Sequence, residues 1–88
     1  MAMSSVEIEK AREKALEAIR YEFREPERTV VRYLIDYLIE MARAGGQRRE
    51  DALKILRYLF DIIGATMEQS KTLIGFGALI SAIEHMQE

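Results

Sequence analysis

The chain has 88 residues, no Cys, and 13 basic against 15 acidic residues, which gives a formal net charge of −2. This length has room for one domain. The balanced charge produces no overall field that would attract nucleic acid or an anionic membrane. The longest uncharged run, residues 72–83, is shorter than the roughly 20 residues that a bilayer-spanning helix needs. We therefore expect a single helical domain over residues 1–88, with no membrane span.

The absence of Cys fits a reducing compartment. The first residues also lack the basic and then apolar stretches of a signal peptide. We therefore expect a cytoplasmic protein. A domain of this size is marginally stable without disulfides, so metal binding, very regular helix packing or oligomerisation would have to contribute.

Apolar residues recur at helical spacing in four segments, and no segment alternates over a useful length as a strand does. The first helix is predicted over about residues 5–24, where Ser4 and Glu7 have the spacing of a capping box. Its apolar stripe is narrow, which is typical of a surface helix, and consists of Ile8, Ala11, Ala15, Ile19 and Phe23.

The second helix is predicted over about residues 26–44. Pro26 separates it from the first, because proline is tolerated in the first turn of a helix and biases the preceding residue away from helical geometry. Its end is predicted at Gly45-Gly46, a strong terminator.

The third helix is predicted over about residues 48–63, with Gly64 suited to its C-terminal cap. Thr66 and Gln69 repeat the capping-box spacing ahead of a fourth helix, predicted over about residues 67–86. Such short connections force neighbouring helices to pack antiparallel. The sequence therefore predicts an all-α fold, a compact four-helix unit that packs into a helical homodimer.

The pattern Arg-Tyr-Leu-x-Asp occurs twice, at residues 32–36 and 57–61, with an offset of 25 residues. In each copy the Arg and the Asp stand four positions apart, the spacing of a weak exposed ion pair within a helix. Apolar residues around the two copies also coincide when they are aligned. Two interpretations remain open: two similar amphipathic helices under the same constraints, or a duplicated helix that gives a pseudo-symmetric hairpin.

The predicted fourth helix is apolar nearly all round and carries Gly75 and Gly77 in its interior. Each glycine costs a helix about 1 kcal/mol relative to Ala, which a sequence tolerates for close packing, a bend or function. One interpretation is a core helix whose glycines admit a bulky neighbour such as Phe60 or Tyr37. The other is a face that closes against a second copy of the chain.

Three helices with broad apolar surfaces are more than a chain of this size can easily cover, and an exposed patch of that size is unusual in a monomer. We therefore expect a homodimer or a higher even-numbered assembly. The residues predicted for the interface are Tyr33, Tyr37, Ile74, Phe76, Leu79, Ile80 and Ile83.

Motifs for chemistry are absent from the sequence: it has no Cys nucleophile, no Gly-rich phosphate loop and no H-E-x-x-H pattern. The single His, His85, has no neighbour in sequence suited to a shared metal site. We expect no catalytic residue, no cofactor and no metal ion, and a protein that is not an enzyme.

The sequence thus predicts a small soluble helical protein that acts as a structural or protein-interaction module through self-association of apolar helix faces. Another helical protein is a further candidate partner. An alternative is a nucleic-acid-associated protein that uses Arg43, Arg48 and Arg49 around the Gly45-Gly46 turn. A small all-α enzyme and an engineered helical scaffold are the remaining alternatives.

Overall fold

Four α-helices make up the chain in the computed structural model, which describes residues 2–66 and 70–86. They are α1 (Ala2–Glu22), α2 (Glu27–Ala44), α3 (Gly46–Thr66) and α4 (Lys71–Glu84). These two ranges contain no strand. None of the described helices combines the length and the apolar character that crossing a membrane takes. The predicted all-α class and the four helices are confirmed.

The helices form a ring in which each one packs against two others. α1 contacts α2 and α4, and α3 contacts the same two helices from the other side. The core between them is drawn from all four helices, with Ile8, Ile19, Ile35, Leu38, Leu56, Phe76, Leu79 and Ile83 fully buried. The narrow stripe predicted on α1 is buried as far as Ile19, and Phe23 packs against it partly buried.

α1 begins at Ala2, so the prediction that Ser4 caps it is wrong. Ala2 and Met3 are both good helix formers, so the helix can begin on the N-terminal side of Ser4. At the other end, the Arg28 guanidinium donates hydrogen bonds to the carbonyl oxygens of Arg20 at 3.0 Å and Phe23 at 2.9 Å. These bonds satisfy carbonyls that the end of a helix leaves unpaired, and the chain turns at Pro26 into α2.

Gly45 and Gly46 form the tight turn between α2 and α3, as predicted. Their φ angles are 76° and 54°, in the left-handed region that favours glycine, and the Gly45 N–H donates to the Ala42 carbonyl at 3.1 Å. Gly64 does not end α3, which continues to Thr66. The Thr66 hydroxyl bonds back to the Ile62 carbonyl at 3.1 Å, and no positive φ interrupts the helix at Gly64.

α4 begins at Lys71 and its N-cap is Ser70, whose hydroxyl accepts a hydrogen bond from the Leu73 N–H at 3.2 Å. The prediction that Thr66 caps this helix is therefore wrong, because Thr66 is still part of α3. Its expected partner Gln69 lies outside the described residues. Glu22 of α1 provides a second cap for the start of α4.

The Glu22 carboxylate lies at the N-terminus of α4. It accepts hydrogen bonds from the Ser70 hydroxyl at 2.6 Å, the Lys71 N–H at 2.6 Å and the Thr72 N–H at 2.8 Å. Burial raises the pKa of Glu22, but these hydrogen bonds outweigh it and lower the pKa to about 2. The charge also lies where the helix dipole favours an anion. Glu22 therefore fixes the start of α4 to the end of α1.

Gly75 allows α4 to lie against the backbone of α1. A methyl group added at Gly75 would come within 2.7 Å of the Ala15 Cα, which is closer than a Cβ atom comes to a non-bonded carbon atom in real proteins. Gly77 faces α3 instead, where an added methyl group would lie 3.3 Å from the Phe60 ring. The two glycines thus serve contacts within the chain, and Phe60 is the bulky neighbour at one of them.

Replacing Gly75 by Ala should destabilise the protein, although alanine is the better helix former. We expect a net loss of about 1–2 kcal/mol, because overpacking against the Ala15 backbone outweighs a gain of about 1 kcal/mol in helix propensity. Gly77→Ala is the matched control, because there only the edge of the Phe60 ring must move. Thermal or urea unfolding of both variants measures the difference, and equal stabilities would contradict this packing.

Replacing Glu22 by Gln should cost about 1–2 kcal/mol at neutral pH, with allowance for the partial exposure of the carboxylate. Since the folded-state pKa lies below the ordinary value of 4.5, this stabilisation is present above pH 4.5 and is lost as the pH falls toward about 2. The difference in unfolding free energy between the wild type and Glu22→Gln should therefore shrink over that window.

The control for this measurement is Glu17→Gln, an exposed position on α1 with no hydrogen bond to another described residue. Urea unfolding at several pH values should find it close to the wild type throughout. A gap between wild type and Glu22→Gln that is the same at pH 3 and pH 7 would contradict the role of the charge.

Candidate functional site

The residues predicted for an interface fall into two groups in the structure. Phe76, Leu79 and Ile83 are buried in the core of the chain itself, and Ile80 packs against that core partly buried. The three buried side chains are therefore not presented to another molecule in this fold, and Ile80 is presented only in part. The three exposed members of the set are Tyr33, Tyr37 and Ile74.

Exposed apolar side chains follow one line along α2. Val30, Tyr33 and Tyr37 are 63%, 64% and 61% exposed, and they stand three and four positions apart. That spacing keeps residues on one side of a helix. The buried residues of α2, Ile35 and Leu38 among them, lie on the opposite side.

α3 carries an equivalent line at Ile55, Tyr58 and Ile62, again three and four positions apart. Tyr58 is 66% exposed, and the two isoleucines are 37% and 43% exposed. Each of these residues stands 25 positions after a member of the line on α2. The aligned copies of Arg-Tyr-Leu-x-Asp therefore place apolar side chains at the same positions on the outside of both helices.

The two lines meet across the hairpin that α2 and α3 form. Helical geometry at 100° per residue points Val30 and Tyr37 toward α3, and points Ile55 and Ile62 toward α2. Leu34 and Leu59 are partly buried and pack against the core. We call the two lines together the α2–α3 face, and its exposed members are Val30, Tyr33, Tyr37, Ile55, Tyr58 and Ile62.

The α2–α3 face is large for a chain of this size. From the exposed fractions of its six members, its exposed area is roughly 500–650 Å², given that one aromatic side chain offers about 150–250 Å². The largest apolar patch on a typical monomer is about 300–600 Å². A standard protein–protein interface buries about 800 Å² on each partner. The face therefore approaches the size of one side of an interface.

One charged residue of each repeat copy forms an ion pair with a helix outside the hairpin, α1 or α4. Asp36 accepts a hydrogen bond from Arg12 of α1 at 2.7 Å. Arg57 forms an ion pair with Glu84 of α4. Arg32 lies over the ring of Tyr33, with 5.6 Å from its Cζ atom to the ring centroid. Within the described residues, neither copy forms the ion pair inside the helix that its spacing suggested.

The arginines around the Gly45-Gly46 turn have different surroundings. Arg43 forms an ion pair with Glu9 of α1 at 2.7 Å. Arg49 donates to the carbonyl oxygens of Ile83 at 2.9 Å and Glu84 at 3.2 Å, so it caps the C-terminal end of α4. Arg48 is exposed and forms no hydrogen bond or ion pair with another described residue. Two of the three predicted nucleic-acid contacts are thus engaged within the chain.

A polar cleft of about 510 Å³ lies between α1 and α2. Four arginines and four acidic residues line it, so their charges balance, and they are Arg12, Glu13, Glu17, Arg20, Glu25, Arg28, Arg32 and Asp36. Across residues 2–66 and 70–86, no group of three His, Cys, Asp or Glu side chains is arranged to hold a metal ion. His85 lies at the end of α4, where its ring nitrogen contacts the Ser81 carbonyl at 2.8 Å.

Comparison with known proteins finds no family model that matches the chain, and no matching curated protein or solved structure. The described residues form a small four-helix bundle with an exposed apolar face on α2 and α3.

Four members of the α2–α3 face, Val30, Ile55, Tyr58 and Ile62, were not predicted as interface residues. A signal for them was present, since the alignment of the repeat pairs them with one another and with Tyr33 and Tyr37. The surplus apolar surface was instead assigned mainly to α4, because its sequence is the most apolar of the four helices. The sequence pattern alone does not tell which apolar surface finds its partner within the chain.

Replacement by Ala should affect stability strongly at Arg49 and hardly at all at Arg48, although the two residues are neighbours. Arg49→Ala should lower the free energy of unfolding by about 1–3 kcal/mol, because it removes charge-assisted hydrogen bonds to the end of α4. Arg48→Ala should change it by less than about 0.5 kcal/mol, as is usual for an exposed side chain without contacts. Urea unfolding measures both, and a larger loss for Arg48→Ala would contradict the capping role of Arg49.

Proposed function

We propose that this protein is a helical protein-interaction module that associates with itself through the α2–α3 face. The observation that carries the proposal is the row of three tyrosines, a valine and two isoleucines exposed on the outside of α2 and α3. Tyrosine is enriched at interfaces because its ring is apolar and its hydroxyl is polar, and it is a frequent hot-spot residue.

A second copy of the chain suits this face for two physical reasons. The face offers most of the area that each partner contributes to a standard interface. The lines on α2 and α3 also have the same spacing of similar residues. When such a face packs on a copy of itself, apolar side chains lie opposite apolar side chains. Burial against a copy would also add stability that a domain of this size has few other means to gain.

Nucleic-acid binding around the Gly45-Gly46 turn is less well supported. A nucleic-acid footprint needs several unpaired cations on one surface. Arg43 and Arg49 are held by Glu9 and by the end of α4, and Arg48 alone among the three lacks such a contact within the described residues.

Sedimentation velocity tests the proposal on the wild-type chain. At micromolar concentrations we expect a species of about twice the chain mass of 10.2 kDa, in a concentration-dependent equilibrium with the single chain. Tyr58→Glu and Tyr33→Glu should shift the equilibrium to the single chain, because each puts an unpaired charge in the middle of the buried surface.

Tyr21→Glu is the matched control, since Tyr21 is 71% exposed on α1, outside the face. It should leave the assembly unchanged. Circular dichroism confirms that all three variants remain folded. A wild type that sediments as a single chain at every concentration would overturn the proposal, and so would a dimer that Tyr33→Glu and Tyr58→Glu leave intact.

A further inference from the structure

We infer that the second copy is related to the first by a two-fold axis that crosses both helices of the face, so that α3 lies antiparallel on α3 of the partner and α2 antiparallel on α2. This inference rests on the proposed self-association and adds its geometry. In such a dimer, Tyr33 and Tyr58 of both copies lie next to the axis.

The outer side of α3 has a pattern that suits this arrangement. Reading along the helix, Lys54 and Ile55 precede Tyr58, and Asp61 and Ile62 follow it. When two such helices run antiparallel with Tyr58 at the centre, Ile55 of one lies opposite Ile62 of the other. Lys54 of one copy likewise lies opposite Asp61 of the other. Within one chain these two residues stand about 10 Å apart along the helix, so it is the partner that supplies the opposite charge.

Both charges are available for that contact. Lys54 and Asp61 are exposed, and neither forms a hydrogen bond or an ion pair with another described residue. Because the axis repeats every contact, one dimer contains two Lys54–Asp61 pairs. They lie at the edge of the apolar face, where charges select partners and fix register more than they add affinity.

Tyr33, the middle residue of the exposed line on α2, lies at about the same distance from the turn as Tyr58, the middle residue of the line on α3. α2 ends at Ala44 and α3 begins at Gly46, and the two helices run in opposite directions from this turn. Two residues at the same distance from the turn, one on each helix, therefore have numbers that add up to about 90. Tyr33 therefore lies level with Arg57, beside Tyr58. Val30 and Tyr37 stand on either side of Tyr33, so a single axis can pair the apolar residues of both helices at once.

The other two-fold arrangement places α2 of one copy on α3 of the other. By the same rule, Lys54 would then lie level with Asp36, which already pairs with Arg12. Asp61 would lie level with Thr29 and next to Arg28, whose guanidinium is already bound to the carbonyl oxygens of Arg20 and Phe23. Charge complementarity therefore favours α3 on α3.

Charge reversal tests the geometry by sedimentation equilibrium. Lys54→Asp and Asp61→Lys should each weaken the dimer about three- to tenfold, because two attractive contacts become repulsive. The double variant Lys54→Asp/Asp61→Lys should restore the dissociation constant to within about twofold of the wild type. Lys10→Asp on α1 makes the same change in net charge as Lys54→Asp, but away from the face, and should have little effect.

Disulfide cross-linking gives a second test, because the chain contains no Cys of its own. Tyr33→Cys and Tyr58→Cys should each form covalent dimers on oxidation when present alone, since each residue meets its own copy at the axis. Tyr21→Cys should not. In the arrangement of α2 on α3, covalent dimers would form only when the Tyr33→Cys and Tyr58→Cys proteins are mixed.

The two proposals fail in different ways. A wild type that dimerises and responds to Tyr58→Glu, but shows no rescue in the double charge variant, would overturn the axis and leave the self-association in place. Covalent dimers only in the mixture would overturn it equally. A wild type that stays a single chain at every concentration would overturn both.

Discussion

Gly75 lies so close to Ala15 that a methyl group in its place would meet the α1 backbone at 2.7 Å. This close approach decides how the apolar surfaces of the bundle are shared. α1 carries one narrow stripe, and contact with α4 and with the inner side of α2 occupies it. No fifth helix is present in the described chain to cover the outer sides of α2 and α3. Their apolar residues therefore remain in contact with water.

Polar contacts between distant parts of the chain complement this packing at the ends of α4. Glu22 satisfies N–H groups at its start, and Arg49 satisfies carbonyl groups at its end. Helix ends leave such groups without partners inside the helix, so these contacts differ from ordinary surface ion pairs, which contribute little. Arg57 and Glu84 add one pair between α3 and α4. α4 is thus held at both ends as well as along its buried side.

Local sequence pattern was sufficient for the class of fold, the four helices and the Gly45-Gly46 turn, because periodicity and left-handed glycine act over a few residues. It was not sufficient for the start of α4. There Glu22 acts across 50 residues of sequence to Thr72, and no local spacing signals it. The interface prediction mixed both cases: Tyr33 and Tyr37 are exposed, whereas Phe76, Leu79 and Ile83 are used by the chain's own core.

The repeated Arg-Tyr-Leu-x-Asp finally separates into parts with different physical causes. Leu34 and Leu59 face the core on equivalent sides of the hairpin, and folding alone explains them. Asp36 pairs with Arg12 of α1 and Arg57 pairs with Glu84 of α4, which also serves the fold. The tyrosines are about two-thirds exposed in both copies, so the core of the single chain uses only a small part of each ring. The proposed self-association would give Tyr33 and Tyr58 a common use, at the surface where the two helices lie side by side.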